Sequence, residues 1–99
     1  MVLTTTTNIE GFKIIDYLGI VSGIAVNENK LALGFSMKKY YAEVHKSVEE
    51  TKEAAFQNLH ENATKLKANA VVGIKVDIEL TSTNYSIVSV TGTAVKVAV

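Results

Sequence analysis

The sequence predicts an α+β domain in the order strand, strand, helix, strand, strand, with one long helix packed on an antiparallel sheet. Three observations carry this. Between residues 42 and 68, apolar residues recur at spacings of four and three, the period of a helix with one buried stripe. On both sides of that segment lie runs that alternate apolar with polar residues or are rich in β-branched side chains, as strands are. The chain has 99 residues, 47% hydrophobic and 20% charged, which suits one small core and excludes a disordered tail. No repeat or linker interrupts it, so residues 1–99 read as a single domain.

Each element has its own signature. Residues 2–7 are β-branched apart from Leu3 and read as the first strand; residues 8–13, with Gly11, read as a loop. Ile14, Ile15, Tyr17 and Leu18 fit either a helical turn or the start of a strand. Residues 19–26 form the second strand. Ile20, Ile24 and Val26 share one parity with Ser22 between them, while Gly23 and Ala25 on the other face are small enough for another element to approach closely. After a polar break at 27–30, Leu31, Leu33, Phe35 and Met37 alternate like a strand before Lys38, Lys39, Tyr40 and Tyr41 lead towards the helix.

The helical stripe is Val44, Val48, Thr51, Ala55, Leu59, Asn62 and Leu66, widened by Phe56 and Ala63. Lys46, Glu50, Glu53, Gln57 and Glu61 lie opposite, and Lys46 and Glu50 are spaced for an i, i+4 pair. Asn69 suits the left-handed residue that ends a helix. In residues 70–80, Val72, Ile74, Val76, Ile78 and Leu80 occupy one face and Lys75, Asp77 and Glu79 the other. A polar turn at 81–84 predicts a hairpin into a last strand over 85–99. That strand changes parity: Val88 and Val90 are even, Val95, Val97 and Val99 odd. Either Gly92 marks a bulge or bend, or both faces of the strand are covered. One helix does not easily cover four strands, and the final valines form an apolar edge. A homo-oligomer is therefore expected; the alternative is a monomer whose own first strand covers that edge.

Composition narrows the chemistry. Ten Lys and Arg residues balance ten Asp and Glu, so charge does not drive binding to nucleic acid or a membrane surface. All the basic residues are Lys, which removes the bidentate reader of phosphate and guanine. There is no cysteine, hence no disulfide and no thiolate metal ligand. The N-terminal residues 1–7 lack a basic region followed by an apolar core, so no signal peptide is read and cytoplasmic residence is expected. No stretch is a candidate membrane span.

No catalytic motif stands out. Ser22 is not in a nucleophile elbow and reads as a small strand residue. Dispersed glycines form no phosphate cradle. The carboxylates of Asp77 and Glu79 and of Glu49, Glu50 and Glu53 alternate or mix with lysines as ordinary surface does. His45 and His60 are fifteen residues apart on the helix, about 22 Å along its axis, too far to share a metal. His45 and Glu49, at i and i+4, make at most half a metal site that a second subunit would complete; otherwise they are a solvated flank. The Lys38-Lys39-Tyr40-Tyr41 cluster fits a helix entry whose tyrosines cap the core, a subunit contact, or a stacking site for nucleic acid.

Several of these segments resemble a known family. Thr4-Thr5-Thr6 with Ile9 and Gly11, then Tyr17-Leu18-Gly19-Ile20-Val21-Ser22-Gly23, then Asn69-Ala70-Val71-Val72-Gly73-Ile74, and finally Gly92-Thr93-Ala94-Val95 are similar to the YbjQ-like family of small, mostly bacterial proteins, labelled heavy-metal-binding domains. The resemblance spans nearly the whole chain. It implies a dodecin-like subunit that assembles as a ring homo-oligomer, typically a pentamer. The chain departs from the family pattern at Ile24, where an acidic residue is common, and in its lysine-rich connection over 32–41, where arginine is common. The expectation is a non-enzymatic oligomeric binding or scaffold protein without a cofactor, whose partner is itself. Tyr17, Ser22, Tyr40, Tyr41 and His45 are candidates to line a ligand site at a subunit junction. The alternative is a metal-binding protein using His45 and Glu49 from adjacent subunits.

Overall fold

The computed structural model describes residues 1–28, 37–80 and 85–98, with the backbone alone at 37–41 and 43. The elements are β1 (Val2–Leu3), β2 (Lys13–Glu28), α1 (Met37–Lys65), β3 (Ala70–Leu80) and β4 (Tyr85–Ala98). They form one four-stranded sheet in the order β1-β3-β4-β2. The α+β class and ββαββ order agree with the sequence reading. The strand-like alternation of Leu31, Leu33 and Phe35 and the turn at 81–84 lie outside the described residues.

The sheet is mixed rather than antiparallel. β4 pairs antiparallel with both β2 and β3, but β1 runs parallel to β3 through Val2↔Ala70 and Leu3↔Val71. A parallel neighbour needs a long crossover, and β2, α1 and their connections supply it. β1 is shorter than residues 2–7 because a bulge in β3 soon carries the partner away. Past Leu3 the chain still bonds to β3, through Thr4 N–H to Val71 O at 3.0 Å and Gly73 N–H to Thr6 O at 2.8 Å.

Small residues set the helix on the sheet. Gly23 is buried, and a Cβ built there would collide with the backbone oxygen of Ala55 and the backbone nitrogen of Leu59. The close approach expected beside Gly23 and Ala25 is therefore the helix itself. Thr51, Ala55, Leu59 and Ala63 form its fully buried stripe. They meet Val21 of β2, Val88, Val90 and Ala94 of β4, and Val71 and Ile74 of β3. Ile20, Ile24 and Val26 of β2 sit on the other face and are exposed, Ile20 at 79%.

The helix begins at Met37, five residues before the predicted start, and ends at Lys65. Lys67, with φ 62°, takes the left-handed position expected of Asn69. The Ala68 N–H bonds to Ala63 O at 3.1 Å and the Lys67 N–H to Thr64 O at 2.9 Å, closing the helix end. Along the helix the ion pair found among the described residues is Lys52–Glu49 at 3.7 Å, not Lys46 with Glu50; both partners are well exposed and it contributes little.

The parity change in β4 comes from burial on both faces. Its register runs unbroken across Gly92, so there is no bulge at that residue. Val88, Val90 and Ala94 face the helix, whereas Val95 and Val97 face a second cluster with Ala70 and Val72, against which Ile9 and Ile14 pack. The extra residues lie in the neighbours: one between Val72 and Lys75 of β3, and two in β2, between Ile14 and Asp16 and between Tyr17 and Gly19. Gly73 sits in the β3 bulge with φ 62°, where glycine is the unstrained choice. Gly92 faces that bulge, and a Cβ on it would lie 2.6 Å from Val71 Cγ1. The bulge also moves Val72 to the opposite face from Ile74, Val76, Ile78 and Leu80, correcting the single-face reading of residues 70–80.

Two consequences bear on association. Of the valine edge expected to need a second copy, Val95 and Val97 are covered within the chain, Val97 being only 9% exposed beneath the Ile9 and Ile14 cluster, and Val99 lies outside the described residues. Apolar surface stays open elsewhere: Tyr17, Ile20, Ile24 and Val26 along β2, and Val76, Ile78 and Leu80 along β3. Gly23→Ala should destabilise the fold by about 3 kcal/mol, the overpacking range, because both colliding atoms are backbone. A urea denaturation curve checks this, and an unchanged midpoint would contradict the contact.

Candidate functional site

The strand-borne candidates share a face. Tyr17 pairs with Val95 and Ser22 with Thr91, so both project from the sheet face opposite the helix, about 13 Å apart along the strand. Both are exposed. Ser22 lies between Ile20 and Ile24 on that face, a hydroxyl flanked by large apolar side chains.

His45 is elsewhere. It is exposed on α1, on the helix-bearing side of the sheet. Two residues on, Ser47 accepts a 2.6 Å hydrogen bond from Asn27 Nδ2, which places this part of the helix at the far end of β2 from Tyr17. Ten strand residues separate Tyr17 from Asn27, on the order of 30 Å. One subunit therefore places Tyr17 and Ser22 on one face of the sheet and keeps His45 apart from both. The side chains of Tyr40 and Tyr41 lie outside the described residues, although both residues belong to α1.

Glu49 is exposed one turn beyond His45 and is the partner of Lys52. Among the described residues no three His, Asp or Glu side chains cluster closely enough to hold a metal ion. A shallow cleft of about 160 Å³ between helix and sheet is lined by Ala25, Val26, Asn27, Glu50, Thr51 and Ala54. It holds one carboxylate and no converging set of donors, so it suits neither a metal nor a nucleophilic reaction.

The polar residues with specific tasks are asparagines: Asn62 stands in the helical stripe and Asn69 near the helix end as the sequence reads, but their hydrogen bonds, and those of Asn58, are set by the fold. Asn69 clamps the helix exit to β4: its Nδ2 donates to Val97 O at 2.9 Å and its Oδ1 accepts from Val97 N–H at 2.7 Å. Asn58 Nδ2 donates to Ile24 O at 3.0 Å and Asn62 Nδ2 to Ser22 O at 2.8 Å, joining the helix flank to the rim of β2. An available signal was Asn62 itself, an amide within an otherwise apolar stripe. Asn69→Ala should cost about 1–3 kcal/mol, since it strips a part-buried N–H and C=O of their partners. Thermal unfolding that matches wild type would rule the clamp out.

Known proteins can now be set beside this geometry. The YbjQ family, described as "Putative heavy-metal-binding", matches residues 1–98. A UPF0145 protein of Acetivibrio thermocellus is 31% identical over 105 residues, covering 98% of this chain and 99% of that one. A UPF0145 protein of Bacillus thuringiensis subsp. konkukian is 33% identical over 108 residues, with 98% and 100% covered. A crystal structure of a protein of unknown function of the DUF74 family from Pediococcus pentosaceus superposes with a TM-score of 0.72 at 20% identity, covering 99% of this chain and 98% of that one, and so shares the fold. With the family pattern running through β1, both bulged strands and β4, the chain belongs to the YbjQ family.

Proposed function

We propose that this protein is a non-enzymatic homo-oligomeric scaffold whose subunits bury the open apolar strands of β2 and β3 against one another, with any small ligand held where subunits meet. The observation that carries this reading is the exposed apolar surface on both faces. Ile20, Ile24 and Val26 lie uncovered on one face, and Val76, Ile78 and Leu80, beyond the reach of the helix, on the other. Contiguous apolar area of this kind in a small protein marks an association surface. The shape agrees: the radius of gyration is 16.6 Å and the extents 56 × 23 × 17 Å, against about 13 Å for a compact domain of this length. A ring of five, which the family resemblance implied, covers both faces at once, because each subunit offers one surface to each neighbour. In such a ring Tyr17 and Ser22 sit on the face a neighbour approaches. Among the described residues no helix is long and apolar enough to cross a membrane.

Light scattering at micromolar concentration should give a multiple of the 10.7 kDa chain mass. Ile20→Lys and Ile24→Lys should lower that mass while leaving the far-ultraviolet circular dichroism unchanged. A wild-type protein that runs as a monomer would end this reading.

A second reading follows from the family's description and from His45 and Glu49, both exposed on one turn of α1. Two ligands from one subunit and two from another would complete a tetrahedral site. Calorimetric titration with zinc or copper then detects binding to wild type that His45→Ala abolishes. If wild type takes up neither metal, the site does not exist.

A further inference from the structure

Among the described residues β2 is an edge strand: the sheet order places β4 on one side of it and no described strand on the other. Its register with β4 is unbroken from Gly19 to Glu28, so its backbone groups alternate between facing β4 and facing outward. Such an edge is a template for pairing with another chain. Proteins ordinarily blunt it with charge, proline or a bulge. β2 has none of these over residues 17–27 beyond the bulge before Gly19: the stretch contains no Asp, Glu, Lys, Arg or Pro. It is instead β-branched, uncharged and exposed at Ile20, Ile24 and Val26, the composition of an aggregating segment. On the opposite side of the sheet, the part of β3 that runs past β1 does carry charge, at Lys75, Asp77 and Glu79.

The helix supplies what β2 lacks. Asn62 Nδ2 donates to Ser22 O and Asn58 Nδ2 to Ile24 O. The two carbonyls share one parity and are taken by groups from outside the sheet, so they are the outward-facing ones. The fit is metric as well. Four helix residues rise about 6 Å and two strand residues about 6.6 Å, so amides at i and i+4 meet successive outward carbonyls of a strand running the other way. One turn further along, position 54 is alanine and has no amide to give; there the cleft lined by Val26 and Ala54 opens.

We propose that Asn58 and Asn62 are edge guards, whose amides occupy the outward carbonyls of Ser22 and Ile24 and hold the helix across that rim, closing β2 to strand addition by a second copy of this chain. Subunits then meet through side chains rather than by extending the sheet from the middle of β2. The inference stands whether wild type is a monomer or a ring, because it concerns which contact is forbidden.

The test compares the wild-type protein with N58A/N62A by sedimentation velocity and thioflavin-T fluorescence over time. The double variant should shift to larger, thioflavin-positive species that wild type does not form. Adding Ser22→Pro should then reverse the shift. Residue 22 has its N–H facing outward, so proline there removes an edge donor without removing a bond to β4. A double variant with the wild-type size distribution overturns the proposal. So do large species that persist with Ser22→Pro, since those would come from a loosened core. If the double variant is unfolded by circular dichroism, N58A and N62A singly carry the same comparison: each frees one carbonyl and should shift in the same direction, and each is judged by the same Ser22→Pro reversal.

Discussion

The fold depends on how closely a helix backbone can approach a strand backbone. At Gly23 the separation leaves no room for a Cβ, and the atoms it would strike are the carbonyl of Ala55 and the amide nitrogen of Leu59. Everything on that side of the sheet follows from this contact. Two alanines, a threonine and a single leucine suffice for the buried stripe because the helix already lies low. The asparagines on its flank can reach the rim of β2 for the same reason. So short a distance also fixes where the helix lies: over β2 and β4, leaving the far half of β3 bare. A helix held further off by larger side chains would cover more of the sheet and grip it less closely.

A second constraint acts from the opposite side. β4 is central and buried on both faces, with the helix above Val88 and Val90 and the segment carrying Ile9 and Ile14 beneath Val95 and Val97. Its neighbours absorb the strain of this arrangement through bulges, while β4 itself stays regular. Gly92 opposite the β3 bulge is where the two adjustments meet, and only a residue without a side chain fits there.

Much of this was legible in the residues. The helix period, the two long C-terminal strands and the small face at Gly23 and Ala25 all follow from spacing alone, because each is a local pattern on a single element. What did not follow depends on partners distant in the chain. No local signal distinguishes a parallel edge strand at Val2–Leu3 from an antiparallel one. The odd valines of β4 looked uncovered because Ile9 and Ile14, some eighty residues away in sequence, cover them. The bulge at Gly73 was hidden because the alternation from Val72 to Leu80 appears uninterrupted in the row, although the backbone turns over between its first two members. The site candidates split for a related reason. Tyr17 and Ser22 are two positions on one strand and stay on one face, whereas His45 belongs to an element whose docking point was set by glycine and asparagine contacts that no spacing rule anticipates.

The placement of β4 also governs how the sheet can be made. β2 pairs with it from Lys13↔Ala98 to Glu28↔Tyr85, so every rung of that ladder joins residues far apart along the chain. A growing polypeptide therefore holds β2 without its ladder partner until β4 exists, and closing so long a loop costs entropy before any rung forms. During that interval the uncharged stretch from Tyr17 to Asn27 has one ally close at hand in sequence, the helix that follows it. A helix able to lie on the strand before the sheet is complete would shelter it through the slowest part of assembly. The asparagine contacts, from Asn27 as well as from Asn58 and Asn62, then matter in time as well as in space, since both ends of each precede β4 in the chain.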